Sequence, residues 1–84
     1  MKVLLTADAE KQFQKLPKSE RSKVLKKLQL LTENPQAGKK LAGAYAEQRS
    51  LRAWPYRIIY AISTTVNQEA IIVLAILHRR GAYK

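Results

Sequence analysis

Cationic side chains flank two long apolar segments, residues 56–62 and 69–77, and their chemistry suits phosphate binding. Both segments are rich in β-branched, aromatic or other apolar residues, which favours strands. If the strands pair as a hairpin, the start of the first meets the end of the second. A guanidinium donates two parallel hydrogen bonds to phosphate, so we predict a phosphate site that cleaves RNA there. The flanking side chains are Arg49, Arg52 and Arg57 on one side, and His78, Arg79, Arg80 and Tyr83 on the other.

Arg57 is the least expected of these residues, because it occupies the second position of an otherwise apolar strand. Burying a permanent cation without a partner is costly. Residues 39–84 contain eight Lys and Arg but only two acids, Glu47 and Glu69, so few acidic side chains of this segment can pair with Arg57. An exposed strand end or an ion pair would also explain Arg57. We favour an anionic ligand, and we take Arg57 as a candidate catalytic residue.

His78 and Tyr83 are the candidate proton-transfer groups. His78 is the only histidine, and a histidine side chain is the residue type best suited to move a proton during RNA cleavage. A structural or surface role is the alternative, and Arg79 and Arg80 would oppose its protonation and leave it neutral and orienting. Tyr83 lies near the terminus, where it either frays or stacks on a base or transfers a proton.

The remaining pattern predicts a single α+β domain over residues 1–84. A short strand precedes a helix that Thr6 caps and Pro17 ends, and a second helix runs from about Ser19 to Asn34. Three strands follow a loop at 36–43, so two helices pack on a four-stranded, mostly antiparallel sheet in the order β-α-α-β-β-β. The predicted strands are residues 2–5, 48–53, 56–62 and 69–77.

Regular strand alternation sorts the side chains of the last two strands onto two faces. It places Arg57 with Ile59 on one face of the first strand. On the last strand it groups Ile72 with Ile76 and His78, and Ile71 with Leu77 and Arg79.

Charge and composition limit the possible functions. The 84 residues carry a formal net charge of +10, which predicts a polyanionic or acidic partner. With no cysteine and one histidine, we expect no disulfide, no metal site and no cofactor. No segment is long enough to span a membrane and the start is unlike a signal peptide, so we expect a cytoplasmic protein. The second helix carries Arg21, Lys23, Lys26 and Lys27, which either form a solvated face or extend the contact with RNA.

The order and spacing of several short motifs resemble those of the RelE/ParE superfamily of toxins from bacterial type II toxin–antitoxin pairs. The resemblance extends over nearly the whole chain, and it agrees with the fold predicted above. The motifs are Asn34-Pro35, Lys40-Leu41-Ala42-Gly43, Leu51-Arg52, Tyr56-Arg57-Ile58-Ile59-Tyr60, and Ile76-Leu77-His78-Arg79-Arg80 with Tyr83.

The resemblance implies one of two activities. RelE-like members are mRNA interferases, metal-independent endoribonucleases that cut messenger RNA in the ribosomal A site, whereas ParE-like members poison DNA gyrase. In the RelE-like pattern Arg57, Arg79 and Tyr83 stand at active-site positions. Basic residues hold the RNA, here Lys39, Lys40, Arg49, Arg52 and Arg80.

The chain departs from the best-known RelE-like pattern at Gln48 and Ser50, where that pattern has lysines, so the general base is unassigned. The retained Arg57, Arg79 and Tyr83 favour the ribonuclease, and we expect mRNA and an acidic antitoxin as partners. A gyrase inhibitor without nuclease activity is the alternative. A small basic RNA-binding protein without toxicity is the third possibility.

Overall fold

Two helices pack on one five-stranded sheet in the computed structural model, which describes residues 2–41, 47–64 and 68–78. The strand order is β1-β5-β4-β3-β2, with β1 parallel to β5 and the other neighbours antiparallel. The elements are β1 (Lys2–Leu5), α1 (Ala7–Gln14), α2 (Lys18–Glu33), β2 (Lys39–Lys40), β3 (Gln48–Ala53), β4 (Tyr56–Thr64) and β5 (Glu69–His78).

The boundaries of both helices follow from local chemistry. Thr6 caps α1, because its Oγ1 accepts a hydrogen bond from the backbone N–H of Ala9 at 3.2 Å. Asp8 and Glu10 occupy the first turn, where the helix dipole favours acids. Pro17 separates the helices as the N-cap residue of α2. The α+β class predicted from the sequence is confirmed.

The hydrophobic core lies between the helices and one face of the sheet. Tyr60, Ile58 and Leu31 are among its largest fully buried side chains. Strand pairing places Ile58 opposite Leu51 and Ile76, so three neighbouring strands contribute to the same face. Within the described residues, both helices lie on this face, and we call the other face of the sheet the uncovered face.

The prediction of four strands was wrong by one, because Lys39 and Lys40 form a short edge strand inside the segment predicted as a loop. β2 pairs with β3, with Lys39 opposite Ser50 and Lys40 opposite Arg49. The backbone N–H of Leu41 extends the pairing by donating to the carbonyl of Gln48 at 3.0 Å. Two residues are too few to show the two-residue periodicity by which a strand is recognised in sequence.

The predicted alternation of the last strand was also wrong, because β5 contains a β-bulge. Ile59 lies opposite Ala75, but Tyr60 lies opposite Val73, so β5 has one extra residue at Leu74. The bulge reverses the parity of the strand. The core face therefore includes Ile71 and Val73 together with Ile76.

The side chains of Thr6 and Gln12 hydrogen-bond to backbone groups of β5 near this bulge, beyond the point where β1 ends. The carbonyl of Leu74 accepts from Thr6 Oγ1 at 3.2 Å. The backbone N–H of Ile76 donates to Gln12 Oε1 at 2.7 Å. A buried backbone group without such a partner would destabilise the fold, so these contacts fix α1 against β5.

Replacing Gln12 with alanine should lower the free energy of unfolding by about 1 kcal/mol, because the N–H of Ile76 loses its acceptor. Urea denaturation monitored by circular dichroism measures the change. Gln14→Ala is the matched control, since Gln14 is an exposed residue of the same helix. Equal stability of the two variants would contradict this account of the β5 edge.

Candidate functional site

Two arginines face each other across the paired strands β3 and β4. Arg52 lies directly opposite Arg57, and strand alternation puts both on the uncovered face. Neighbouring positive charges attract an anion, and the guanidinium fork suits phosphate geometry.

A cavity of about 530 Å³ adjoins this arginine pair, and we call it the basic cavity. Five of its nine lining residues carry a positive charge, and none of the nine is acidic. A concave surface lined by one sign of charge attracts anions from solution. Its lining residues are Lys27, Ala37, Lys39, Lys40, Leu41, Ser50, Leu51, Arg52 and Arg57.

A hydrogen-bonded clamp holds the segment that carries Lys39 and Lys40. The buried hydroxyl of Tyr60 accepts from the N–H of Gly38 at 2.9 Å and donates to the carbonyl of Pro35 at 2.7 Å. One core side chain therefore fixes both ends of the turn that leads into β2.

Gly38 is required in this clamp because of space. A Cβ at this position would lie 2.7 Å from the Tyr60 hydroxyl oxygen and 3.0 Å from the carbonyl oxygen of Ser50. Any larger residue would push the turn away from β3 and β4, and would move the two lysines that follow.

Arg49, predicted to bind RNA, lies on the helix-covered face and opposite Tyr60. Its Nη1 donates to the carbonyl of Gly38 at 3.0 Å, and the side chain is half-buried. The structure therefore separates Arg49 from the arginine pair and joins it to the clamp.

His78 lies at the same end of the sheet as Arg57 but on the other face. The register pairs His78 with Tyr56, and Leu77 with Arg57. The imidazole contacts the Tyr56 ring edge to face, with centroids 5.3 Å apart and planes at 85°. His78 is exposed and packs on an aromatic ring, whereas Arg57 and Leu77 share the uncovered face.

The other predicted residues at the end of the second segment are Arg79, Arg80 and Tyr83, and they lie outside the described residues. The predicted meeting of Arg57 with Arg79 therefore stays a prediction. The register does bring the end of β5 beside the start of β4, where Arg57 lies.

Three residues that shape this site were not among the predicted site residues. Lys27 of α2, expected either on a solvated face or as a further contact with RNA, lines the basic cavity, and so does Ser50 of β3. The role of Tyr60 in the clamp could have been inferred in part, since a buried tyrosine hydroxyl usually has a hydrogen-bond partner. The identity of that partner depends on the path of residues 35–38, which no local pattern predicts.

The described residues offer neither a metal-binding cluster nor a membrane-spanning helix. No group of three or more His, Cys, Asp or Glu side chains is close enough there to hold a metal ion. None of the described helices has the length and apolar character needed to cross a membrane.

One family model matches almost the whole chain. It is described as "ParE toxin of type II toxin-antitoxin system, parDE" and matches residues 3–83. Among curated proteins none matches significantly.

Several solved structures have a similar fold. A chain of the toxin–antitoxin complex RelBE2 from Mycobacterium tuberculosis is 28% identical, with a TM-score of 0.81 over 93% of this chain and 96% of that one. The isolated E. coli RelE toxin is 25% identical, with a TM-score of 0.73 over 92% and 82%. The YoeB/ParE toxin from Agrobacterium tumefaciens, at 20% identity, has a TM-score of 0.79 over 93% and 98% and supports the fold alone.

Removing the hydroxyl of the clamp should destabilise the fold measurably. Tyr60→Phe leaves the N–H of Gly38 and the carbonyl of Pro35 without their partner, so we expect a loss of about 1–3 kcal/mol in the free energy of unfolding. Tyr56→Phe is the matched control, because it keeps the ring that contacts His78. The same loss in both variants would show that the hydroxyl of Tyr60 has no special role.

Proposed function

This chain belongs to the ParE toxin family of type II toxin–antitoxin systems, and we propose that it is an mRNA interferase, a ribosome-dependent endoribonuclease. The observation that carries the proposal is the arginine pair beside the basic cavity. Surface charge of this kind fits a phosphodiester chain. The two arginines lie on the uncovered face, and the cavity beside them also reaches Lys27 of α2.

The proposed reaction uses the ribose of the RNA as nucleophile. The 2′-oxygen attacks the adjacent phosphorus, the bond from phosphorus to the 5′-oxygen breaks, and a 2′,3′-cyclic phosphate and a 5′-hydroxyl form. The 2′-hydroxyl gives up a proton and the leaving 5′-oxygen gains one. Negative charge grows on the non-bridging oxygens, so cations placed in advance lower the barrier.

Arg57 and Arg79 are our assignment for this charge stabilisation. Tyr83 and His78 are the proposed groups for stacking on the base or for proton transfer. The strand position of His78 is on the face opposite Arg57. Its imidazole would therefore have to reach the RNA around the end of β5. Lys39, Lys40, Arg52 and Arg80 are the proposed contacts to flanking phosphates, with Arg49 holding the turn that carries the two lysines.

The proposed protein partner is an acidic antitoxin. A partner that covers the basic cavity must offset the five positive charges that line it, in a chain whose net charge is +10. The solved relatives include the RelBE2 toxin–antitoxin complex and an archaeal RelE–RelB complex from Pyrococcus horikoshii. The antitoxin would inhibit either by occupying the cavity or by displacing the end of the chain that carries Tyr83. Since the substrate is on the ribosome, the proposed location is the cytoplasm.

Gyrase inhibition without nuclease activity is the second candidate function. It is favoured by the family model, which describes ParE toxins, whereas the solved relatives include RelE. A gyrase inhibitor needs a docking surface for protein and no charge stabilisation at a phosphorus atom. The two functions therefore make different demands on Arg57.

Arg57→Ala should reduce message cleavage by a factor of ~10²–10³, as loss of one transition-state donor does elsewhere. Primer extension on messages after induction measures the cleavage. Arg57→Lys keeps the charge but loses the fork, and should be intermediate. Lys11→Ala is the control, because Lys11 is exposed on α1 away from the cavity.

Arg79→Ala should abolish growth arrest on induction while the thermal unfolding midpoint stays unchanged. If Arg57→Ala and Arg79→Ala both remain fully toxic, the site assignment is wrong. DNA breaks with intact messages in the wild type would favour the gyrase inhibitor.

A further inference from the structure

A second cleft of about 330 Å³ lies beside the basic cavity, between α2 and the turn that joins β3 to β4. Three of its lining residues are lysines at spacing i, i+3 and i+4, which share one face of α2. The lining residues are Lys23, Lys26, Lys27, Leu30, Ala53 and Trp54. None of the six is acidic.

Trp54 is the unusual member of this cleft, because its side chain is large and apolar yet 53% exposed. The guanidinium carbon of Arg52 lies 5.0 Å from the centroid of the ring. A cation over an aromatic face is a stabilising arrangement. The exposed indole next to a row of lysines therefore offers apolar stacking area and positive charge together.

The cleft and the basic cavity form one continuous surface. Lys27 lines both of them. Arg52 lines the cavity and also packs on the Trp54 ring of the cleft. A polymer with a phosphate at Arg52 and Arg57 would thus have its next units beside Trp54 and the α2 lysines.

We propose that this cleft is a subsite for single-stranded RNA flanking the scissile phosphate, with a base stacked on Trp54 and phosphates held by Lys23 and Lys26. The inference rests on the proposed ribonuclease function and extends it to a substrate-positioning site. Stacking on an aromatic ring requires a base free of its neighbours, which selects a single strand over a duplex.

An acidic protein segment would also neutralise the lysines. RNA fits better because one polymer satisfies both surfaces: the phosphates suit the arginine pair and the lysines, and the bases suit the indole. Carboxylates on a peptide offer the charge but no flat ring for Trp54. We therefore treat the acidic segment as an outcome that the experiment distinguishes.

The indole itself is the probe, because Trp54 is the only tryptophan of the chain. A 2′-O-methyl RNA oligonucleotide has no free 2′-hydroxyl, so it binds without being cut. We expect it to quench tryptophan emission. A series of abasic oligonucleotides should identify one position whose missing base restores the emission while binding persists.

Trp54→Ala should weaken binding of a labelled oligonucleotide roughly 5- to 150-fold, the range for loss of one stacked base. Fluorescence anisotropy measures the dissociation constant. Trp54→Phe should retain most of the affinity, because a flat ring remains. Trp54→Phe should unfold at the wild-type temperature, because a ring remains under the Arg52 guanidinium, whereas Trp54→Ala should unfold at a slightly lower temperature but remain folded in the binding assay.

The lysines are tested through the salt dependence of binding. The slope of log K against log salt is negative, and each lost phosphate contact on a single strand reduces its magnitude by about 0.7. The Lys23→Gln, Lys26→Gln double variant should therefore have a slope smaller in magnitude by about 1.4. The Lys11→Gln, Lys15→Gln variant is the control, because it has the same net charge as the first double variant. Lys11 lies on α1 and Lys15 directly follows it, and neither lines the cavity or the cleft. The slope of this control should stay at the wild-type value.

Three results would overturn the subsite. The first is oligonucleotide binding without a change in emission. The second is equal affinity of Trp54→Ala and the wild type. The third is quenching by poly-glutamate that the oligonucleotide does not displace, which would assign the cleft to an acidic protein.

The subsite and the proposed ribonuclease can fail separately. If induction of the wild type leaves messages intact while the oligonucleotide quenches Trp54 as expected, the ribonuclease fails and the RNA subsite stands. If messages are cut with equal efficiency by Trp54→Ala and the wild type, and neither emission nor affinity responds, the subsite fails and the ribonuclease stands.

Discussion

The register between β3 and β4 is the constraint on which the candidate site depends. It puts Arg52 directly opposite Arg57, on the face that the described helices leave uncovered. A shift of β3 by one residue would exchange the faces of that strand and bury Arg52 against the core. The same register puts Leu51 and Ala53 into the core, so hydrophobic burial maintains the placement of the cations.

The core also positions the residues around the cavity. Tyr60 is fully buried, and its hydroxyl bonds to both Gly38 and Pro35. These bonds connect the packed core to the turn before β2. Arg49 adds a bond to the carbonyl of Gly38, so a cation on the covered face supports the lysines that line the cavity. In this way the stability of the fold and the geometry of the site depend on the same contacts.

Much of the fold could be predicted from the sequence, because its signals are local. Thr6 is a cap residue before an amphipathic segment, and Pro55 lies in the turn between strands whose periodicity is clear. The bulge at Leu74 could not be predicted. β5 is apolar on both sides of it, so the sequence shows no alternation of apolar and polar residues from which a change of face could be recognised. The short strand β2 exists through its pairing with β3 and has no pattern of its own.

The types of residue in the site could be predicted from the sequence better than their positions in the fold. Arg57 was identified because a cation in an apolar strand needs an explanation. The separation of Arg49 and His78 from Arg57 follows from strand faces, which depend on register and on the bulge. Lys27 reaches the cavity from α2, and its contribution follows from how the helix packs on the sheet, which the helical pattern alone does not give.

The most direct measurement follows the side-chain Nε–H resonances of the arginines by NMR while a 2′-O-methyl RNA oligonucleotide is added. Our account predicts that the resonances of Arg52 and Arg57 shift together. Those of Arg21 on α2 and Arg49 in the clamp should stay in place. Binding of the oligonucleotide that leaves Arg52 and Arg57 unmoved would contradict the central claim that this arginine pair holds the phosphodiester.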